Sequence, residues 1–212
     1  NLELSGGDIG ITNLSIQESG DLTINVSGNL TLQGGILSPS SSIHASAVGF
    51  FPEINTNGAF IGGPSAGLTI TAPNILVTSG SSFTTDTNST GAAGPMNIST
   101  QNLQLTNGGT IASKSRFGID PETGLPLPTP PSGPAGTVNI HGTAGPASSV
   151  LIDGANSGIF TDTVGTGAGG STNISTQSLT IQNGGSISAA TSGTASSAIG
   201  GTITVNATDQ VT

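Results

Sequence analysis

Cysteine, tryptophan and tyrosine are absent from this 212-residue chain, and only Lys114 and Arg116 carry a fixed positive charge. Without cysteine there is no disulfide framework, no thiolate metal site and no cysteine nucleophile. Against 11 acidic residues the two cations leave a formal charge of −9, so the chain lacks the basic footprint that binds nucleic acid or an anionic membrane surface. No run of about 18 apolar residues occurs, so no transmembrane helix is expected. Asn1 opens directly on a strand-like pattern without a signal peptide, and an exported form of the sequence is expected to have lost its leader.

Charged residues make up 6% of the chain, where an ordinary globular domain is about a quarter charged. Ser, Thr, Asn and 34 Gly dominate, yet Leu, Ile and Val recur in alternation throughout, so the chain is patterned for folding and not for disorder.

The pattern is a repeat. "MNISTQNLQLTNGGTIAS", Met96 to Ser113, returns as "TNISTQSLTIQNGGSISA", Thr172 to Ala189, at an offset of 76 with ten of eighteen positions identical. Aligning "GLTIT", "PMNIS", "TVNIH", "STNIS" and "TITVN" puts anchors at Ile70, Ile98, Ile140, Ile174 and Val205, spaced by 28, 42, 34 and 31. Ile24 of "DLTIN" extends the series upstream, and Leu2 with Leu30, and Ile75 with Leu103, repeat the basic period of 28.

Each unit reads as three short strands, as in "MNIS", "LQL" and "TIAS", with no 3.6-residue apolar rhythm. The "NGG" at Asn107 to Gly109 and Asn183 to Gly185 supplies residues that tolerate positive φ at a sharp corner. Three strands and their corners in about 28 residues predict an all-β fold, a right-handed parallel β-helix of about seven coils stacked at about 4.8 Å, forming one domain over residues 1–212. Ile98, Leu103, Ile111, Ile174, Leu179 and Ile187 are its expected core.

Extra residues are expected at corners, where a loop leaves without breaking a strand. The expected insertions are Ser40 to Pro64, with three of the six Phe; Ser113 to Ala135, with six of the twelve prolines and both cations; and the smaller His141 to Ser149.

The sequence of Gly-x-Met-x-Ile-x-Thr, "LQLTNGG" and "TIAS" resembles the repeat region of filamentous haemagglutinin-like proteins exported by two-partner secretion. The resemblance covers nearly the whole chain outside the loops. The "NPNG" motif of that family's secretion module is not seen, so the resemblance implies a fragment of a longer exoprotein of a Gram-negative bacterium, extracellular or at the cell surface. It implies an outer-membrane transporter during export and a shaft, not a toxic tip. Lack of cysteine suits export of an unfolded chain.

Catalysis by a β-helix needs clustered carboxylates or a carboxylate beside Arg or Lys. The candidates are Asp120 and Glu122 near Lys114 and Arg116, and Asp153 with Asp162; loop solvation or turn formation accounts for them as well. His44 and His141 fall in separate insertions, and the "GGxGxD" calcium repeat is absent. The expectation is therefore a non-enzymatic rod that needs no cofactor and no metal, with a carbohydrate-active β-helix enzyme as the alternative and an end-to-end polymerising subunit as a third reading.

Phe50, Phe51 and Phe60 are the densest aromatic supply, and with Lys114 and Arg116 they are the candidate binding residues; the competing reading, favoured by the usual burial of Phe, is a local hydrophobic cap over the first coils. Sequons occur at Asn13, Asn25, Asn29, Asn88, Asn97, Asn173 and Asn206, of which Asn97 and Asn173 would point outward for glycosylation if Ile98 and Ile174 point in. Partners expected on this reading are a host or neighbouring-cell surface glycan or protein, or identical copies end to end, since neither end reads as a cap.

Overall fold

The alternation in "MNIS" becomes a strand whose Met96 and Ile98 are buried while Asn97 and Ser99 are half-buried on the other side. The same rule builds the rest of the chain. The structure, a computed structural model, describes residues 1–13, 20–34, 40–47, 62–117 and 133–212, and these form strands without a helix. In chain order the strands are β1 (Leu2–Ser5), β2 (Asp8–Asn13), β3 (Leu22–Asn25), β4 (Asn29–Gln33), β5 (Ser42–Ala47) and β6 (Leu68–Thr71). Next come β7 (Asn74–Val77), β8 (Ser82–Thr84), β9 (Met96–Ser99), β10 (Asn102–Thr106), β11 (Thr110–Ala112) and β12 (Thr137–His141). The last are β13 (Ala147–Asp153), β14 (Gly158–Phe160), β15 (Ser171–Gln182), β16 (Ser186–Ser188) and β17 (Thr202–Val211).

The named strands pair in parallel, and from β1 to β14 each pairs with the strand three places on or with the corresponding part of β15 or β16. One ladder joins β3, β6, β9, β12 and the first half of β15; a second joins β1, β4, β7, β10, β13 and the second half of β15. Because β15 runs through both, they form one eleven-stranded sheet, curled into a half-barrel, with β17 along β15. The smaller sheet has six strands in the order β2, β5, β8, β11, β14, β16.

The register places equivalent residues over one another. Ile24, Ile70, Ile98, Ile140, Ile174 and Val205 are successive partners. Leu2, Leu30, Ile75, Leu103, Val150, Leu179 and Val211 form a second column, and Ile9, Ile43, Phe83, Ile111, Ile159 and Ile187 a third. Five of the six residues expected in the core are buried; Ile187 is half-buried because β16 ends the smaller sheet, with β14 beside it.

The corners explain the repeated words. In "NGG", Asn107 and Gly108 have φ of 49° and 81°, and Asn183 and Gly184 have 52° and 88°, so both copies turn through left-handed backbone. A Cβ on Gly109 would lie 2.0 Å from the Val77 carbonyl oxygen of the preceding unit, which is why a second glycine follows. In "STQ", Thr100 and Thr176 turn inward, and each hydroxyl donates to the carbonyl two residues on, Asn102 at 3.2 Å and Ser178 at 2.9 Å. In the second copy the strand continues through this corner, so β15 is one strand where the sequence suggests two.

A different corner, after the smaller sheet, is filled with hydroxyls. Thr85, Thr87, Ser89, Ser113, Ser115, Thr161 and Thr163 are all buried there. Thr85 and Ser113 both donate to the Gly94 carbonyl, at 2.7 and 2.9 Å, while Ser115 Oγ has no partner.

Parts of the stretches expected as insertions belong to the ladders. Ser42–Ala47 is a ladder strand, so the first begins after β5; its inward residues Ile43 and Ala45 are buried, and Ala45 is too small to stand out in an apolar pattern. In the second, Ser115 bridges Thr87 and Thr163, Arg116 N donates to the Thr87 carbonyl, and Gly133 N to that of Ser89. His141 closes β12 and β13 starts at Ala147, which reduces the third to a tight turn bridged between Gly142 and Gly145. The two long connections, β5 to β6 and β11 to β12, both leave the smaller sheet from the same side of the unit.

Candidate functional site

The hydroxyl-filled corner carries charges on its outer side. Past the end of β8, Asp86 accepts the backbone N–H of Lys114 at 2.8 Å; past the end of β14, Asp162 accepts that of Ala190 at 2.9 Å, again 28 residues on. The bridges Thr87 to Ser115 and Ser115 to Thr163 fix the register, so Asp86, Lys114 and Asp162 occupy equivalent outward positions in three successive units. Opposite charges therefore alternate up one column. Arg116 Nε lies 2.6 Å from Asp86 Oδ2, and Lys114 Nζ lies 3.8 Å from Asp162 Oδ2 and 4.1 Å from the centre of the Phe160 ring. Asp162 Oδ1 also accepts from Ser188 Oγ at 2.5 Å.

The side chains of Asp86 and Lys114 are 18% and 23% exposed, so neither charge is fully solvated. Burial pushes the Asp86 carboxyl above its ordinary value, and the neighbouring Arg116 and Lys114 charges only partly oppose this. Burial, helped by the Arg116 charge, pulls the Lys114 ammonium below its ordinary value against the attraction of Asp162 and Asp86. Perturbed titration next to an insertion marks this column as the candidate site.

The residues singled out from the sequence divide clearly. Lys114 and Arg116 come together, held in ion pairs with Asp162 and Asp86 and thus not displayed as loose cations. Asp153 and Asp162 do not: Asp153 ends β13 in the larger sheet, where it accepts from Asn183 Nδ2 at 2.7 Å. Phe50, Phe51, Phe60, Asp120 and Glu122 lie outside the described residues. Phe117, 38% exposed beside Arg116, is an aromatic the sequence reading passed over. Asp86 was also passed over, although its offset of 28 from Lys114 is the repeat period. His44 stands on the outer face of the smaller sheet, its Nδ1 3.2 Å from Asp8 Oδ1, while His141 Nδ1 contacts the Gly142 carbonyl at 2.7 Å. Among the described residues no three His, Cys, Asp or Glu converge as a metal site.

The larger sheet bears two amide ladders. Asn139 Nδ2 donates to Asn97 Oδ1 and Asn173 Nδ2 to Asn139 Oδ1, each at 2.9 Å, beside a groove of about 340 Å³. Asn74, Asn102 and Ser149 continue a similar ladder from Asn29. Asn97 is half-buried and Asn173 exposed, and the Asn173 nitrogen that would carry a sugar is already hydrogen-bonded. Asn139 was missed because "NIH" is no sequon.

No protein-family model matches the chain, and neither a curated protein nor a solved structure matches it.

Proposed function

We propose that the chain is a rod segment: a right-handed parallel β-helix of about seven coils with corner insertions, belonging to a large exoprotein of the filamentous haemagglutinin-like kind. The carrying observation is the register, in which Ile24, Ile70, Ile98, Ile140, Ile174 and Val205 stack as successive partners. Parallel strands that return to the same ladder once per unit, with connections of the usual right hand, wind a solenoid. Its role is mechanical and adhesive. It acts outside a Gram-negative cell or on its surface, after export through an outer-membrane transporter, and it attaches to a surface glycan or protein or to further copies of itself.

The test is twofold. Electron microscopy of a tandem fusion of several copies is expected to show unbranched rods that lengthen in proportion to copy number, and globular particles would refute the rod. Attachment of labelled chain to bacterial and host cells is expected above that of an unrelated β-protein, and equal attachment would refute the adhesive role. The carbohydrate-active reading has one favouring observation, the Asp86, Lys114 and Asp162 column. Incubation with acidic polysaccharides is expected to release no new reducing ends, because both cations are already engaged by carboxylates.

A further inference from the structure

We propose that Lys114 and Asp162 condense into a covalent side-chain amide that straps two successive units together. The inference does not depend on the rod reading.

The Lys114 Nζ lies 3.8 Å from Asp162 Oδ2, so the amine is held as an ion-pair partner against the carboxyl it would attack. The two ends of the carboxyl are in different surroundings. Oδ2 faces the amine, while Oδ1 is held by two donors, Ser188 Oγ at 2.5 Å and Ala190 N–H at 2.9 Å. Two donors on one oxygen of an acyl group are the arrangement that stabilises a tetrahedral oxyanion. The amine is fixed from the other side by the Phe160 ring, 4.1 Å from Nζ, which also excludes water from that face. Arg116, held in place by Asp86 at 2.6 Å, puts a second positive charge beside the ammonium and favours its neutral form. Asp86 and Arg116 are thus positioning residues, and Ser188 and the Ala190 N–H touch the reacting group.

The steps balance without any added reagent. The Lys114 ammonium passes a proton to Asp162 Oδ2, leaving an amine and a carboxylic acid. The nitrogen lone pair forms a bond to Asp162 Cγ, and the charge that develops on Oδ1 is met by Ser188 and Ala190. Collapse breaks the Cγ–Oδ2 bond, and the departing hydroxide takes a proton from the nitrogen and leaves as water. Effective molarities of fixed pairs make such a condensation feasible where free lysine and aspartate would not react. In a chain without cysteine, this bond does what a disulfide would do across the point where the long connection after β11 leaves the stack.

The chain carries its own test, because Lys114 and Arg116 are its only sites for trypsin. The purified 212-residue protein is weighed by intact mass spectrometry, then denatured and digested with trypsin. The expected mass is one water below that of the sequence, and the expected digest is a single branched species in which residues 1–116 and 117–212 stay joined through Lys114 and Asp162. Full sequence mass with cleavage after Lys114 as well as Arg116, and residues 1–114 and 117–212 recovered apart, would overturn the proposal. Lys114→Arg keeps the positive charge but cannot form the amide under these conditions, so it is expected to show full mass; a missing water there would place the dehydration elsewhere and would also overturn it. Asp162→Asn removes the carboxylate that takes the Lys114 proton and is expected to keep its full mass and to separate on digestion; a linked product from that variant would overturn the mechanism.

Discussion

Asn139 donates to Asn97 Oδ1 at 2.9 Å across 42 residues of chain, the same contact that Asn102 makes to Asn74 at 2.7 Å across 28. The longer connection leaves the ladder undisturbed. Its backbone re-enters in register because Arg116 and Gly133 bond to the Thr87 and Ser89 carbonyls on either side of it.

Replacing residues 118–132 by a short Gly-Ser linker is therefore expected to preserve the circular dichroism spectrum and to change the melting temperature little, since long surface loops cost little to close. Removing Lys114 to Pro134 instead also takes away the Arg116 to Asp86 and Lys114 to Asp162 contacts and is expected to lower it. Equal melting of the two deletions would show that these contacts contribute nothing.

Ile98 is fully buried between Ile70 and Ile140. Ile98→Asp places a carboxylate where no cation reaches it, and a loss of about 3 kcal/mol or more is expected in denaturant titration. A midpoint equal to the parent's would mean that the inward register is wrong.

Two neighbouring serines separate hydrogen bonding from burial. Ser113 Oγ donates to the Gly94 carbonyl at 2.9 Å, and Ser115 Oγ, equally buried, has no partner. Ser113→Ala is expected to cost about 1 kcal/mol, and Ser115→Ala to be neutral or stabilising. The reverse order would place the hydroxyl network elsewhere.

Asp86 gives stability a pH dependence of definite sign. Its folded pKa lies above the ordinary 3.8 because of burial, so the folded chain holds this proton more tightly than the unfolded one. The contribution is fully present below 3.8 and is lost as pH rises through the raised value. Asp86→Asn keeps an acceptor for the Lys114 N–H and removes the titration, so its melting temperature should fall less than the parent's over that window. Parallel curves for the two would refute the assignment.

The columns were legible because period-two alternation and a 28-residue offset both act on large apolar side chains, as in Leu2 over Leu30 and Ile75 before Leu103. The strand β5 was not, because its inward pair is Ile43 and Ala45, and one small side chain does not mark a face. Of the charge column, the step from Asp86 to Lys114 follows the repeat, but the step from Lys114 to Asp162 spans the long connection and the turn at Gly142, and no constant offset reveals it. The corner hydroxyls were hidden by composition, since Ser and Thr that face inward look the same in sequence as those that face water.

Those buried hydroxyls also shape the response to temperature. Where a core made of Leu and Val alone would expose only hydrocarbon on unfolding, this one also exposes Thr85, Thr87, Ser89, Ser113, Ser115, Thr161 and Thr163. Polar surface lowers the heat-capacity increment that apolar surface raises. The stability curve is correspondingly flatter, with less lost on cooling and a broader plateau than a hydrocarbon interior of the same size would give.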